Sequence, residues 1–243
     1  MEGLAMKEKP ILFSKPMVLA LLNTKPGTWP AAPIDPEMPW KWQTRRIVKP
    51  AKSQDWLTAD ILGEVVQMVD RGDGWWAMSV DDRPPGPQGT CPGHIGSVSA
   101  PYRVGDILWV REQLRKGRGW EYAADGSVVR VPAEHQSAAV VWAHHKKHDH
   151  CVSIHMPRWA CRITLEVMEV RCQRLQDIAE EDAKAEGAQP WPHDPQQRMT
   201  SGELGIEQPY RGGFACLWDD INDDRATWFS NPWVWAYTFK RLT

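Results

Sequence analysis

No apolar run in this sequence approaches the roughly 20 residues a membrane helix requires; runs such as Val18 to Leu22 and Ala138 to Ala143 fall far short. No stretch near the first residue joins a basic start, an apolar run and a small-residue cleavage site, so no signal peptide is expected. Cysteine is sparse: the five residues Cys91, Cys151, Cys161, Cys172 and Cys216 are odd in number, widely spaced and without a CxxC pair. That pattern suits reduced thiols better than a disulfide framework, and a cytoplasmic location is expected. Charge of one sign is also lacking. A net charge of −2 argues against a protein that coats long nucleic acid electrostatically. Neither an internal repeat nor a heptad is visible.

What is present is a chain of 243 residues with 42% hydrophobic residues, enough to bury a sizeable core. Fifteen tryptophans are the outlying count. Trp40, Trp42, Trp75, Trp76, Trp109, Trp120, Trp159, Trp233 and Trp235 lie in or beside predicted strands and loops. They serve core and rim packing, and one or two in a pocket would offer a face on which a base can stack.

Along the chain, Ile11-Leu12-Phe13 reads as a short strand, and Pro16 suits the first turn of a helix over Met17 to Asn23. Lys25 to Pro39 holds five prolines and is expected to be a non-regular loop, followed by an extended segment from Gln43 to Val48. Residues 51–100 read as an insertion, with strands expected at Ile61 to Val69 and Trp75 to Val80 and a Pro- and Gly-rich loop from Arg83 to Gly96. Gly105-Asp106 turns into a strand ending at Arg111, and Asp125-Gly126 marks a hairpin turn. Arg162 to Arg171 alternates as a long strand. Leu175 to Ala185 is expected to be one helix stopped by Gly187, Phe214 to Ile221 another, and Trp233 to Phe239 a last strand opened by Asn231-Pro232. Many strands, few helices and no βαβ alternation predict an α+β fold: a small β-barrel with flanking helices plugging its openings and long loop insertions.

Several segments carry a family resemblance. Gln43-Thr-Arg-Arg after a short helix, Gly105-Asp-Ile-Leu-Trp-Val-Arg-Glu112, Ile154-His-Met-Pro-Arg-Trp-Ala160 and Asn231-Pro-Trp-Val-Trp235 resemble ASCH-domain proteins of the PUA-like superfamily, most of all the longer type often encoded by phages and prophages. The resemblance implies a single ASCH (PUA-like) domain over 1–243 with insertions at about 25–40, 51–100 and 188–210. The family signature is a lysine, a threonine three residues on and an arginine two further, matched here by Lys41, Thr44 and Arg46. Typical members place the lysine close behind the first helix. This chain inserts the Pro-rich loop there, which makes Lys25 a rival; Lys41 is chosen because its spacing to Thr44 is intact.

Small members of the family include amidohydrolases that deacetylate N4-acetylcytidine with a lysine, a threonine and a glutamate. The resemblance assigns the glutamate to Glu186, near the end of the helix after the long strand, and implies Phe13, Arg46, Arg111 and Glu112 as substrate-binding residues. It implies an enzyme acting on a nucleoside, without cofactor or metal and without a membrane partner. The chemistry is coherent, since a threonine hydroxyl needs a neighbour to take its proton and a desolvated lysine can serve. On an extended segment residues three apart face opposite ways, so a bend near Pro39 and Trp40 would be needed for Lys41 and Thr44 to share a pocket.

Other roles stay open at this point. Lys41 could be a solvated loop lysine, Thr44 a strand residue and Glu186 one acid among several on a wet helix end. Arg46 could hold a phosphate or a base edge, or form a surface salt bridge. Arg111 and Glu112 could line the barrel mouth or pair with each other. The run His144-His-Lys-Lys-His-Asp-His150-Cys151, with His155, offers many metal ligands but no paired-ligand rhythm and is read as a solvated insertion loop. The alternative to an amidohydrolase is a module that binds RNA or a modified nucleotide, or a ribonuclease of the same class, motivated by the tryptophans, Arg45, Arg46, Arg111 and the Lys146-Lys147 loop.

Overall fold

The computed structural model describes residues 7–49, 59–72, 74–84, 91–117, 119–135, 150–191, 208–222 and 225–243. His144 to Asp149 of the His-rich run lie outside the described residues, as does most of the segment 188–210. The described chain is α+β, mostly sheet with few helices. Its strands are β1 (Glu8–Leu12), β2 (Gln43–Ile47), β3 (Gln67–Asp70), β4 (Trp75–Ser79), β5 (His94–Ser99), β6 (Ile107–Arg111), β7 (Leu114–Lys116), β8 (Trp120–Tyr122), β9 (His150–Cys151), β10 (Thr164–Arg174) and β11 (Trp233–Arg241). The α-helices are α1 (Lys15–Leu22), α2 (Ala59–Glu64), α3 (Glu180–Ala185) and α4 (Pro209–Asn222). The main sheet has the order β1-β6-β10-β11-β2; the others are β3-β4-β5 and β8-β7-β9. Among the described residues the main order is open, ending at β1 and β2, where sequence patterning predicted a closed barrel. No helix of the described residues is long and apolar enough to cross a membrane.

The chain divides into two compact units, one of Met1–Trp42, Gly105–Met168 and Phe239–Thr243, the other of Gln43–Val104 and Glu169–Thr238. In the first, β1 runs parallel to β6, Ile11 opposite Val110, and β6 pairs antiparallel with the start of β10, Leu108 opposite Leu165. The expected alternation is present where β10 begins, with Ile163 just before it and Leu165 and Val167 within it fully buried, and it ends at Val167. The Asp125-Gly126 turn forms as expected: Gly126 sits at φ 77°, a left-handed conformation that favours glycine, and the Tyr122 N–H donates to the Ser127 carbonyl. The small sheet β8-β7-β9 closes over Leu114, Tyr122, Val129, Cys151, Met156 and Ala160. The Pro-rich loop is non-regular yet tied down, because the Asn23 amide donates to the carbonyls of Asp35, Met38 and Pro39.

In the second unit, β3-β4-β5 is an antiparallel sheet, and β2 pairs antiparallel with β11. Two expectations are corrected here. The strand anticipated from Ile61 to Val69 is a helix, α2, followed by the strand β3; Ala59-Asp-Ile-Leu-Gly-Glu64 places helix formers before the β-branched pair Val65-Val66, and the apolar run straddles both elements. The helix anticipated from Leu175 to Ala185 is broken: Leu175–Asp177 is a single 3-10 turn, Ile178 and Ala179 are extended, and α3 starts only at Glu180. Extension there still buries Leu175, Ile178 and Ala183 in one cluster with Phe214, Trp218, Trp228 and Val234, so packing is satisfied without a continuous helix. Gly187, at φ 79°, ends the helical turn as expected.

Candidate functional site

In the second unit the strand β2 carries Gln43-Thr-Arg-Arg-Ile47, and its period of two divides these side chains between two faces. Gln43, Arg45 and Ile47 face α3: Ile47 packs on the Leu175 cluster, while the two polar residues meet the carboxylates of Asp182 and Glu186. Four residues apart, Asp182 and Glu186 come from adjacent turns on one side of the helix end. Arg45, its side chain fully buried, donates through Nη1 to Glu186 Oε1 at 3.0 Å and through Nη2 to Asp182 Oδ2 at 2.9 Å. Gln43 Nε2 donates to Asp182 Oδ1 at 2.9 Å, and Arg171 Nη2, from β10, to Asp182 Oδ2 at 3.1 Å. Burial opposes the charge on Asp182, but Arg45, the Gln43 amide and Arg171 outweigh it and hold the carboxyl below its ordinary value.

Thr44 and Arg46 lie on the opposite face of β2. In the β2–β11 register Thr44 stands directly across from Tyr237 and Arg46 across from Trp235. Thr44 is 1% exposed and Tyr237 fully buried, and Tyr237 packs edge-on against Tyr102 with ring centroids 5.2 Å apart. Burial holds the Arg46 guanidinium below its ordinary value, and the neighbouring Glu186, Tyr102 and Tyr237 offset part of that. Burial pushes both phenols upward, Tyr237 strongly, with Arg46 pulling each partly back. The result is a hydroxyl, a phenol and a half-buried guanidinium on one sheet face, with the Glu186 carboxylate close enough to Arg46 to be felt.

In the first unit Lys41 has no exposed surface. Its backbone is clamped by Thr24, whose Oγ1 accepts from the Lys41 N–H at 3.1 Å and donates to the Lys41 carbonyl at 2.9 Å. Its ammonium nitrogen lies 5.8 Å from the centre of the Phe13 ring, and Phe13 in turn meets Phe239 edge-on. The flanking Trp40 and Trp42 pack on each other at 4.0 Å between centroids. Lys41 is therefore a buried, aromatic-walled lysine and not a solvated loop residue.

Arg111 and Glu112 do not pair with each other. Arg111 lies over the Trp109 ring at 4.5 Å and donates to the Ile154 carbonyl at 3.1 Å. Glu112, 2% exposed, holds Arg162 through two bonds of 2.8 and 2.7 Å. Arg162 also donates to Asp125 Oδ2 and to Ser127 Oγ, each at 2.7 Å, while stacking 3.9 Å from the Tyr122 ring centre. Burial of Asp125 opposes its ionisation, but its bonds from Arg162 and Ser127 prevail and hold it at about 2. A depressed folded value contributes stability that is complete above the unfolded value near 3.9 and lost as pH falls through about 2. Asp125→Asn is thus expected to cost about 1 kcal/mol near neutral pH and to flatten acid unfolding between about pH 4 and 2, read by tryptophan fluorescence. A variant with the wild-type acid profile would remove this assignment.

Asp182 and Tyr237 complete the constellation without having been picked from the sequence, and Arg45 joins them although the sequence named it only for the nucleic-acid alternative. Asp182 could have been found from its spacing to Glu186 on a helix end, and Arg45 from strand alternation beside Thr44; no local signal marks Tyr237. Among the described residues no group of three or more His, Cys, Asp or Glu is placed to hold a metal ion. Comparison with protein-family models, with curated proteins and with solved structures returns no match.

Proposed function

We propose that this chain is a cytoplasmic, PUA-like (ASCH) amidohydrolase that removes the acyl group from N4-acylated cytosine nucleosides, giving cytidine and a carboxylic acid. The observation that supports it most is the burial of Lys41, at 0% exposure, since a lysine almost never leaves water without a task or a partner. Thr44 and Glu186, chosen with it from the sequence, are 1% and 2% exposed.

The proposed sequence begins with Thr44 Oγ1 attacking the acyl carbon while Lys41, three residues earlier in the chain, takes the hydroxyl proton. Electrons of the carbonyl move onto its oxygen. Their return breaks the C–N4 bond, and the leaving amine recovers the proton from Lys41. A water activated in the same way then hydrolyses the threonine ester and releases the acid. Glu186, already bonded to Arg45 at 3.0 Å, suits orienting the charged groups more than donating a proton.

Purified protein is expected to hydrolyse N4-acetylcytidine or N4-benzoylcytidine, followed by absorbance, and Lys41→Ala and Thr44→Ala should each lose about 10³-fold in kcat or more. Full activity in Thr44→Ala would eliminate the nucleophile. No turnover of either substrate by folded wild type would sink the amidohydrolase, and salt-sensitive RNA binding by that protein would then support the nucleotide-binding module.

A further inference from the structure

We propose that the Tyr237 hydroxyl donates a hydrogen bond to the acyl carbonyl oxygen of the substrate and is a further catalytic residue of the same site, an inference that rests on the amidohydrolase proposed above. Tyr237 stands directly opposite Thr44 in the β2–β11 ladder, so the two side chains share a sheet face, with Cβ atoms about 5 Å apart for such a pair. The residue is fully buried, yet its O–H donates to no acceptor among the described residues. The Tyr102 backbone acts on the phenol oxygen as a donor does, pulling its pKa partly back, but a donor does not accept the O–H proton, for which no acceptor stands among the described residues.

An orphaned buried hydroxyl costs about 1–3 kcal/mol. Nothing in the packing of β11 repays it: the strand is buried from Trp233 to Phe239, and the Tyr237 ring makes its aromatic contact with Tyr102 through its edge and face, not its oxygen. Phenylalanine would serve the core better. What a phenol adds at this place is a neutral donor that keeps its proton at any working pH, with the Arg46 guanidinium beside it on the same face. As Thr44 Oγ1 bonds to the acyl carbon, negative charge gathers on the carbonyl oxygen, and a fixed donor in a water-poor site stabilises that charge without transferring its proton. The unpaired O–H of the resting protein is thus a donor held ready for an acceptor that only the substrate brings.

The test is Tyr237→Phe, assayed beside wild type for hydrolysis of N4-acetylcytidine and for thermal unfolding. The expected result is a fall in kcat of about 10²-fold with KM nearly unchanged, together with a Tm equal to or above that of wild type. A role in packing alone would lower Tm and leave kcat untouched. An active wild type with an equally active Tyr237→Phe overturns the inference while leaving the amidohydrolase standing, as does a rise in KM alone, which would mark a ground-state contact. An inactive wild type overturns both, and is told apart because it needs no variant.

Discussion

Arg45→Met is expected to destabilise the protein by about 3–5 kcal/mol near neutral pH, the usual cost of removing one partner from a buried ionic cluster. The Arg45 side chain has no exposed surface and answers two carboxylates at once, Glu186 at 3.0 Å and Asp182 at 2.9 Å. Methionine fills similar space but removes the guanidinium that both acids meet, while Gln43 and Arg171 still reach Asp182. The sign of the pH dependence follows. In the wild type Asp182 sits below its ordinary value, so its pairing stabilises above about pH 4 and is lost as pH falls through the folded value. Arg45 is one of the groups that hold Asp182 down, so the difference between variant and wild type shrinks as acid protonates Asp182 below about pH 4. Urea unfolding at pH 7 and pH 3.5 reads both effects. A cost under about 1 kcal/mol at neutral pH would mean that the cluster is solvated and loosely held.

Gly213→Ala should be nearly as damaging, and in the direction opposite to helix propensity. Gly213 lies within α4, where alanine is ordinarily favoured by about 1 kcal/mol. Here a Cβ would overlap the Gln189 carbonyl oxygen and stand 3.0 Å from its carbon. The obstacle is backbone and cannot rotate aside, so α4 and the segment after α3 would have to separate and open the cluster of Ala188, Phe214, Ala215 and Trp218. A loss of about 3 kcal/mol is expected in denaturant unfolding. Gly119→Ala, where a Cβ meets nothing within 4 Å, serves as the neutral control. Unchanged stability in Gly213→Ala would show that the contact yields.

Local pattern sufficed wherever one segment's own chemistry decides its shape. The alternation of β10, the left-handed Gly126 turn and the helical stop at Gly187 depend on neighbours a few residues away, and all three were legible. The errors fall where two elements share one apolar run. From Ile61 to Val69 hydrophobicity continues through a helix into a strand, and from Leu175 to Ala185 it continues across an extended break, because burial rewards an apolar residue equally in either conformation. The open strand order had no sequence signal at all, since closure depends on which strands pair across the whole chain.

The site divides along the same line. The sequence by itself determined the candidates Lys41, Thr44, Arg46 and Glu186 through spacing and resemblance, the absence of long apolar runs, and the α+β mixture of many strands and few helices. Only the tertiary structure decided that Lys41 is walled by Phe13, that Glu186 is answered by Arg45, that Glu112 is occupied by Arg162, and that Tyr237 stands across from Thr44 with an O–H that meets no acceptor among the described residues. The reason is physical: a residue's type sets what it can donate, accept or bury, but whether water, an ion partner or nothing meets it is settled by residues up to 141 positions away in sequence, as for Arg45 and Glu186.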